Sequence, residues 1–219
     1  MSLRKIPLAV GEYYHVYNRG VDKREIFHDR YDADRFFRSM VAFNTVHPVG
    51  SLRHVDFERK NSGETAAKSE PLVDIIAYCL NPNHFHILLK QRGEGGVSEF
   101  MKRLAGGYVW YFNNKHDRSG VLFEGPFKSS HINSNEYLLH VSVYVNLNFR
   151  VHKYRDKDLE NILSSWDEYM GACAPQNRIC TKDPILGQIK SVKAYADFAE
   201  KSLIGILERK KLSQEFTLE

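Results

Sequence analysis

Two histidines flanking one apolar residue, His84 and His86, open the apolar run of Asn81-Pro82-Asn83-His84-Phe85-His86-Ile87-Leu88-Leu89. Successive side chains of a strand point to opposite faces, so the two imidazoles share one face, about 7 Å apart, and Phe85 points into the core. Neutral imidazoles suit Mg, Mn or Zn only when further ligands complete the shell. Two histidines therefore require a third ligand elsewhere and leave coordination positions open to substrate, the mark of a catalytic metal site. With ten histidines in 219 residues, an H-x-H pair alone is weak. Its setting strengthens it: a Pro-Asn turn precedes the pair, an apolar run follows, and a second chemistry-bearing segment lies downstream.

That second segment runs from Asn133 to Arg150. Asn133, with Glu136 three residues on, reads as an N-cap pair, and Tyr137, Leu138, Val141, Val145 and Leu147 supply apolar mass for a helix. Tyr144 and Asn148 are four residues apart and project from one face of it. Taken singly, Tyr144 is one of twelve tyrosines and reads as half-buried core, and Asn148 reads as a helix-end cap. Tyr108 and Tyr111 are rival nucleophiles on another helix, but their place in its apolar stripe assigns them to packing.

The elements that must position these groups follow from periodicity. Glu12 to Gly20 alternates and ends in Asn-Arg-Gly, a strand running into a turn. From Asp32 to Val46, Phe36, Phe37, Met40, Val41 and Phe43 recur at helical spacing before Pro48. Leu52 to Phe57 reads as a short strand and Glu58 to Pro71 as a mobile polar loop. Leu72 to Leu80 is β-rich, and Asn81-Pro82-Asn83 returns the chain into the histidine strand as an antiparallel hairpin on a central sheet. Val97 to His116 is an amphipathic helix in which Gly106-Gly107 marks a kink or a close approach, each glycine costing about 1 kcal/mol relative to alanine. Val121 to Ile132 leads into a strand carrying Lys128, Ser129, Ser130 and His131. Beyond Tyr154 the chain changes character, and Asp183-Pro184 is expected to cap a long amphipathic helix through Lys211, with Trp166 anchoring this tail as an appendage to the body.

Composition bounds the rest. The length fits one domain with appendages. Hydrophobic residues make up 42% and the mean hydropathy is −0.45, as in an ordinary soluble protein, with no run of membrane-spanning length. The start, Met1 to Pro7, lacks the apolar stretch of a secretory signal, so the cytoplasm is the expected compartment. A net charge of +4 and a pI near 8.8 favour an anionic partner. Cys79, Cys173 and Cys180 are too few and too scattered for a disulfide framework or a zinc ribbon.

The segments Tyr14-His15-Val16-Tyr17-Asn18-Arg19-Gly20, Leu80 to Leu89 and Tyr144-Val145-Asn146-Leu147-Asn148 together resemble the single-tyrosine HUH transposases, and among them the REP-associated tyrosine transposases. Phe112-Asn113, Gly125-x-Phe127-Lys128-Ser129, Glu136-Tyr137-Leu138-Leu139 and the Ser-Ser-Trp stretch fit as well. The resemblance covers residues 10 to 170. It implies a metal site of His84, His86 and Asn148, a nucleophile at Tyr144, a divalent metal (Mg or Mn), and single-stranded or hairpin DNA with REP-like palindromes as partner. Two positions depart from the pattern. Gly125-Pro126-Phe127 lacks the cation of the usual Gly-Arg-Phe, and Leu147-Asn148-Phe149 stands where Leu-Asn-Pro is common.

The chemistry so implied is metal-dependent cleavage and rejoining of DNA next to hairpins through a covalent 5′-phosphotyrosine, with Arg19, Lys102, Arg103, Lys128, Arg150 and Lys153 as candidate phosphate contacts. A non-catalytic hairpin-binding descendant and a zinc hydrolase are the alternatives. Intact Tyr144 and Asn148 disfavour the first, and the lack of H-E-x-x-H or a Cys-rich set disfavours the second. The expected fold is α+β, a ferredoxin-like central antiparallel sheet with helices on its faces. Residues 10–154 would form the HUH domain and 155–219 a C-terminal helical extension, which packs on the body, contacts DNA or supports a homodimer.

Overall fold

In the computed structural model, residues 7–47, 49–52, 70–152 and 154–215 are described. Most of the expected strand at 52–57 and of the loop at 58–71 lies outside them, and Leu52, the one described residue of that strand, is helical. Chain order among the described residues is β1 (Tyr13–Arg19), α1 (Arg30–Ala42), β2 (Val73–Asn81), β3 (His84–Gln91), α2 (Gly96–Lys115), β4 (Lys128–Ile132), α3 (Asn135–Asn146) and α4 (Asn148–Val151). There follow α5 (Asp156–Leu159), β5 (Leu163–Ser164), α6 (Trp166–Tyr169), α7 (Asp183–Leu186) and α8 (Val192–Glu215).

The five strands form one sheet in the order β4-β1-β3-β2-β5, and every neighbouring pair is antiparallel. Each of the two β-α-β crossovers, β1 to β2 and β3 to β4, skips one strand, which is the split βαβ arrangement of a ferredoxin-like sheet. The β2–β3 hairpin closes on Pro82 and Asn83, with Asn81 opposite His84, as the turn residues predict. The histidine strand lies at the centre.

Both faces of the sheet are covered, so β2 and β3 are buried almost throughout. Phe85, Ile87 and Leu89 join Phe36, Leu104 and Tyr108 in one core beneath α1 and α2. Leu88, on the histidine face, joins Val141, Val145, Tyr195 and Leu203 in the other. Strand alternation thus sends the phenylalanine of the H-x-H pair into the first core and leaves its imidazoles on the second face.

Helix α2 is continuous. Gly107 marks a close approach, since a Cβ there would lie 2.8 Å from the Phe43 ring at the end of α1, whereas Gly106 faces open space. Two expected boundaries are corrected. The N-cap of α3 is Ser134, whose Oγ accepts from Tyr137 N at 3.1 Å, and Asn133 precedes it. The long C-terminal helix does not begin at Asp183-Pro184, because the chain forms only the short α7 there and starts α8 at Val192.

The tail is built into the body. Leu163 and Ser164 pair with Leu80 and Cys79 at the edge of β2, and α8 packs on α3. A buried polar junction locks α3 in place. Asn146 donates to Tyr195 Oη at 2.9 Å and accepts from Ser165 Oγ at 2.5 Å, while Ser165 Oγ also accepts from Tyr78 N at 2.8 Å. Replacing Asn146 by Ala leaves both hydroxyls short of a buried partner, so it should lower stability by about 1–3 kcal/mol in urea titrations. An unchanged midpoint would refute this role.

Candidate active site

Strand β3 presents His84 and His86 side by side, with ring centroids 5.1 Å apart. Helix α3 lies across them, and the Tyr144 ring meets His86 edge-on at 5.4 Å. The helical path is interrupted at Leu147, with φ −105° and ψ 14°, so Asn148 opens α4 rather than continuing α3. Leu147 N still donates to Val143 O at 2.9 Å, and the phenol and the amide remain on the same side.

The orientation of Asn148 is set from the strand. Cys79 Sγ donates to Asn81 Oδ1 at 3.7 Å, which directs the Asn81 amide nitrogen toward the helix. That nitrogen donates to Asn148 Oδ1 at 3.0 Å and lies 3.2 Å from His84 Nε2. His84 Nδ1 is 2.7 Å from Asn83 Oδ1, so the ring proton sits on Nδ1 and Nε2 carries a lone pair. His84 Nε2 and Asn148 Oδ1, both acceptors, face each other at 3.2 Å. The two hydrogens of the Asn81 amide reach both acceptors and hold the imidazole lone pair and the amide oxygen side by side. Asn148 Nδ2 is buried without a hydrogen-bond partner.

His15 on β1 completes the histidine face. Its Nε2 is 2.8 Å from His86 Nδ1, and the two rings stack at 5.0 Å. With Nδ1 of His86 engaged, its Nε2 is left for a ligand, the arrangement by which a neighbouring group orients a metal-binding imidazole. His152, after α4, adds a fourth ring 4.8 Å from His84.

Burial holds all four imidazoles neutral at physiological pH. It lowers His15 to about 4 and His86 well below the usual histidine range, with neighbouring histidines adding to the effect on His86. His84 is lowered by burial, and His152 falls to about 4 through burial and the proximity of His84 and Lys210. Neutral rings keep their lone pairs. The Tyr144 phenol is raised by burial, an effect that the Asn148 amide partly opposes without closing a hydrogen bond to it. Of the rival tyrosines, Tyr108 is buried with its hydroxyl on Ile26 O, and Tyr111 donates to Asp32 at 3.0 Å.

Residues 59–148 match the model of the family described as "Transposase IS200 like". Over these residues the chain is similar to that family. The match spans β2, the histidine strand and α3, and ends on Asn148. It bears out the resemblance read from the motifs. No curated protein matches the chain. A solved structure described as a REP-associated tyrosine transposase bound to a REP hairpin is similar with a TM-score of 0.47 and 13% identity, over 78% of this chain and 86% of that one.

The site opens into a cavity of about 540 Å³, lined by His84, His86, Tyr144, His152, Arg19 and Lys128 among others. Arg19 is held by Glu124 in a two-point ion pair, at 2.6 and 3.0 Å, and Lys128 lies 3.9 Å from the same carboxylate. The other expected phosphate contacts are elsewhere. Lys102 lines a separate pocket beside Phe127, Arg103 is engaged by Glu99, Thr45 O and His47 O, and Arg150 pairs with Glu200. Lys153 lies outside the described residues.

Sequence reasoning left His15, Asn81, Lys23, His152, Tyr17 and Tyr154 without roles, although His15, Tyr17 and Asn81 stand inside the quoted motifs. On β1, alternation alone puts His15 and Tyr17 on the face opposite buried Tyr14 and Val16. The His28, Asp32 and His116 cluster is separate. Its carboxylate already accepts from Lys115, Tyr111, His116 and the His28 backbone. Among the described residues, no helix is long and apolar enough to cross a membrane.

Because the folded-state values of His15 and His152 lie near 4, below the unfolded value of about 6.5, the unfolded chain binds more protons between them. Their contribution to stability is therefore complete above pH 6.5 and is lost as pH falls toward 4. Melting curves in chelator should be level from pH 8 to 7 and then decline, with a shallower decline for His15→Gln. An equal slope in the variant would refute this assignment.

Proposed function

We propose that the chain is a metal-dependent single-stranded DNA transposase and endonuclease that cleaves and rejoins DNA next to hairpins through Tyr144. The observation that carries this reading is the facing pair of acceptors, His84 Nε2 and Asn148 Oδ1 at 3.2 Å, at the edge of a cavity lined by His84, His86 and the Tyr144 phenol. An amide oxygen with two neutral imidazoles is a donor set for Mg or Mn with positions left for phosphate oxygens. His84, His86 and Asn148 would hold the ion, and His15 would orient His86. Bound there, the ion would supply Lewis-acid polarisation of the scissile phosphate.

The chain's own groups do the rest. Arg19, Lys23 and Lys128 draw the DNA backbone into the cavity. The Tyr144 oxygen attacks phosphorus, forming a P–O bond to tyrosine as the bond to the 3′-oxygen breaks. Burial keeps the free phenol protonated, so it gives up its proton as the new bond forms, and the departing 3′-oxygen takes up one proton in exchange. The products are a 5′-phosphotyrosine and a free 3′-hydroxyl, and the retained bond energy lets a 3′-hydroxyl reverse the step without a nucleotide. A cleft of this size takes a single strand and unstacked bases, not a duplex, which supports a hairpin with single-stranded flanks, such as a REP-like palindrome, as substrate.

The test is incubation of end-labelled hairpins bearing single-stranded flanks with the protein in Mg or Mn, followed by denaturing gels. A covalent band that requires metal and vanishes in Tyr144→Phe is expected. A hairpin that is shifted but never captured would establish a binding protein instead, and a band that survives Tyr144→Phe would move the nucleophile to Tyr17 or Tyr154. In the same assay His15→Leu should raise the Mn concentration needed for half-maximal capture about 10- to 100-fold, without abolishing capture at saturating metal.

A further inference from the structure

Tyr144 borders two cavities. On the side away from the histidine cleft, a groove of about 880 Å³ runs between α3 and α8, starting at His15 and Tyr144. One face of α3 supplies Tyr137, His140 and Val141 at helical spacing. The facing side of α8 supplies Phe198, Lys201, Ile206 and Arg209. None of the residues lining the groove is acidic, while Lys201 and Arg209 are exposed along it. Its floor is aromatic and apolar: His140 and Phe198 lie 5.1 Å apart, and Tyr137 is 43% exposed. Gly205 opens the middle, where an added Cβ would meet nothing within 4 Å.

We infer that this groove on α8 is a binding site for a single-stranded DNA flank, continuing the strand's path beyond the scissile phosphate at Tyr144. The inference rests on the DNA-cleaving reading above. Cations along a trough with flat rings on its floor match a strand that carries phosphates on one edge and bases on the other, and such sites accept bases largely irrespective of sequence. The groove's continuity with Tyr144 gives it the flank, not the paired stem. Residues of the C-terminal extension thereby join those of the transposase segment in holding substrate.

The test uses the full chain in a Tyr144→Phe background, so that binding is not confounded by capture. Anisotropy is measured on a hairpin with flanks and on the same hairpin trimmed to its stem. Lys201→Ala with Arg209→Ala should weaken flanked DNA about tenfold and make the dependence of log K on log salt shallower by about 1.4, two phosphate contacts on a single strand. Gly205→Leu, which fills the groove and favours the helix, should weaken flanked DNA to a similar degree. Trimmed hairpin should bind all proteins alike.

Equal affinity of wild type and variants for flanked DNA would overturn the inference. So would a change in self-association alone, seen by light scattering with Gly205→Leu, since that would make the groove a contact between copies. Covalent capture by Tyr144 with groove variants unaffected sinks the groove and leaves the cleavage reading intact. Variant-dependent loss of flank binding in a protein that never captures DNA sinks the cleavage reading and leaves the groove.

Discussion

The hydrogen bond from the Asn81 side chain to Asn148 Oδ1 joins the end of β2 to the start of α4, and the geometry of the site depends on it. Both residues are fully buried, so neither amide can turn to water. Each would lose the value of a buried hydrogen bond if the other moved. Cys79 fixes which end of Asn81 faces the helix. The consequence is an oxygen, rather than an NH2 group, aimed at His84. An amide placed the other way would offer a cation two hydrogens where it needs a lone pair.

That bond needs α3 and α4 to be seated within a fraction of an ångström, and the seat comes from distant sequence. Ser165 and Tyr195 clamp Asn146, two residues before Asn148, and Tyr169 donates to Ile76 O at 2.9 Å on β2. Lys210 donates to Val151 O at 2.7 Å and places its charge near His84 and His152. The second core, which backs the histidine face, is completed by Tyr169, Ile185, Tyr195 and Leu203. Positioning of Tyr144 is therefore a property of the chain through α8.

Local pattern carried much of this into the sequence. The H-x-H pair, its Pro-Asn turn, the antiparallel hairpin that turn closes and the Tyr144–Asn148 spacing are all short-range, and each survives in the structure. What pattern did not carry is partnership across the fold. His15 meets His86 only because β1 pairs with β3, with Tyr17 opposite His86 in the register. Asn81 reads as turn chemistry until α4 is set above it. Ser134 displaced Asn133 as cap because either residue type can accept the bond, and only the entry path of the chain decides. Asp183-Pro184 signals a helix start correctly but not its length, which the break before Val192 limits.

Strand β5 is two residues long, yet it covers the edge of β2 at Cys79 and Leu80, next to Asn81. An uncovered edge there would offer unpaired backbone groups beside an apolar surface, the usual template for strand addition between molecules. A chain ending after α4 would thus present a sticky sheet margin together with half of a core. In evolutionary terms the tail is not an exchangeable cassette: any recombination that swapped it would have to bring a matching edge strand, a serine for Asn146 and a tyrosine for the same junction, all at once.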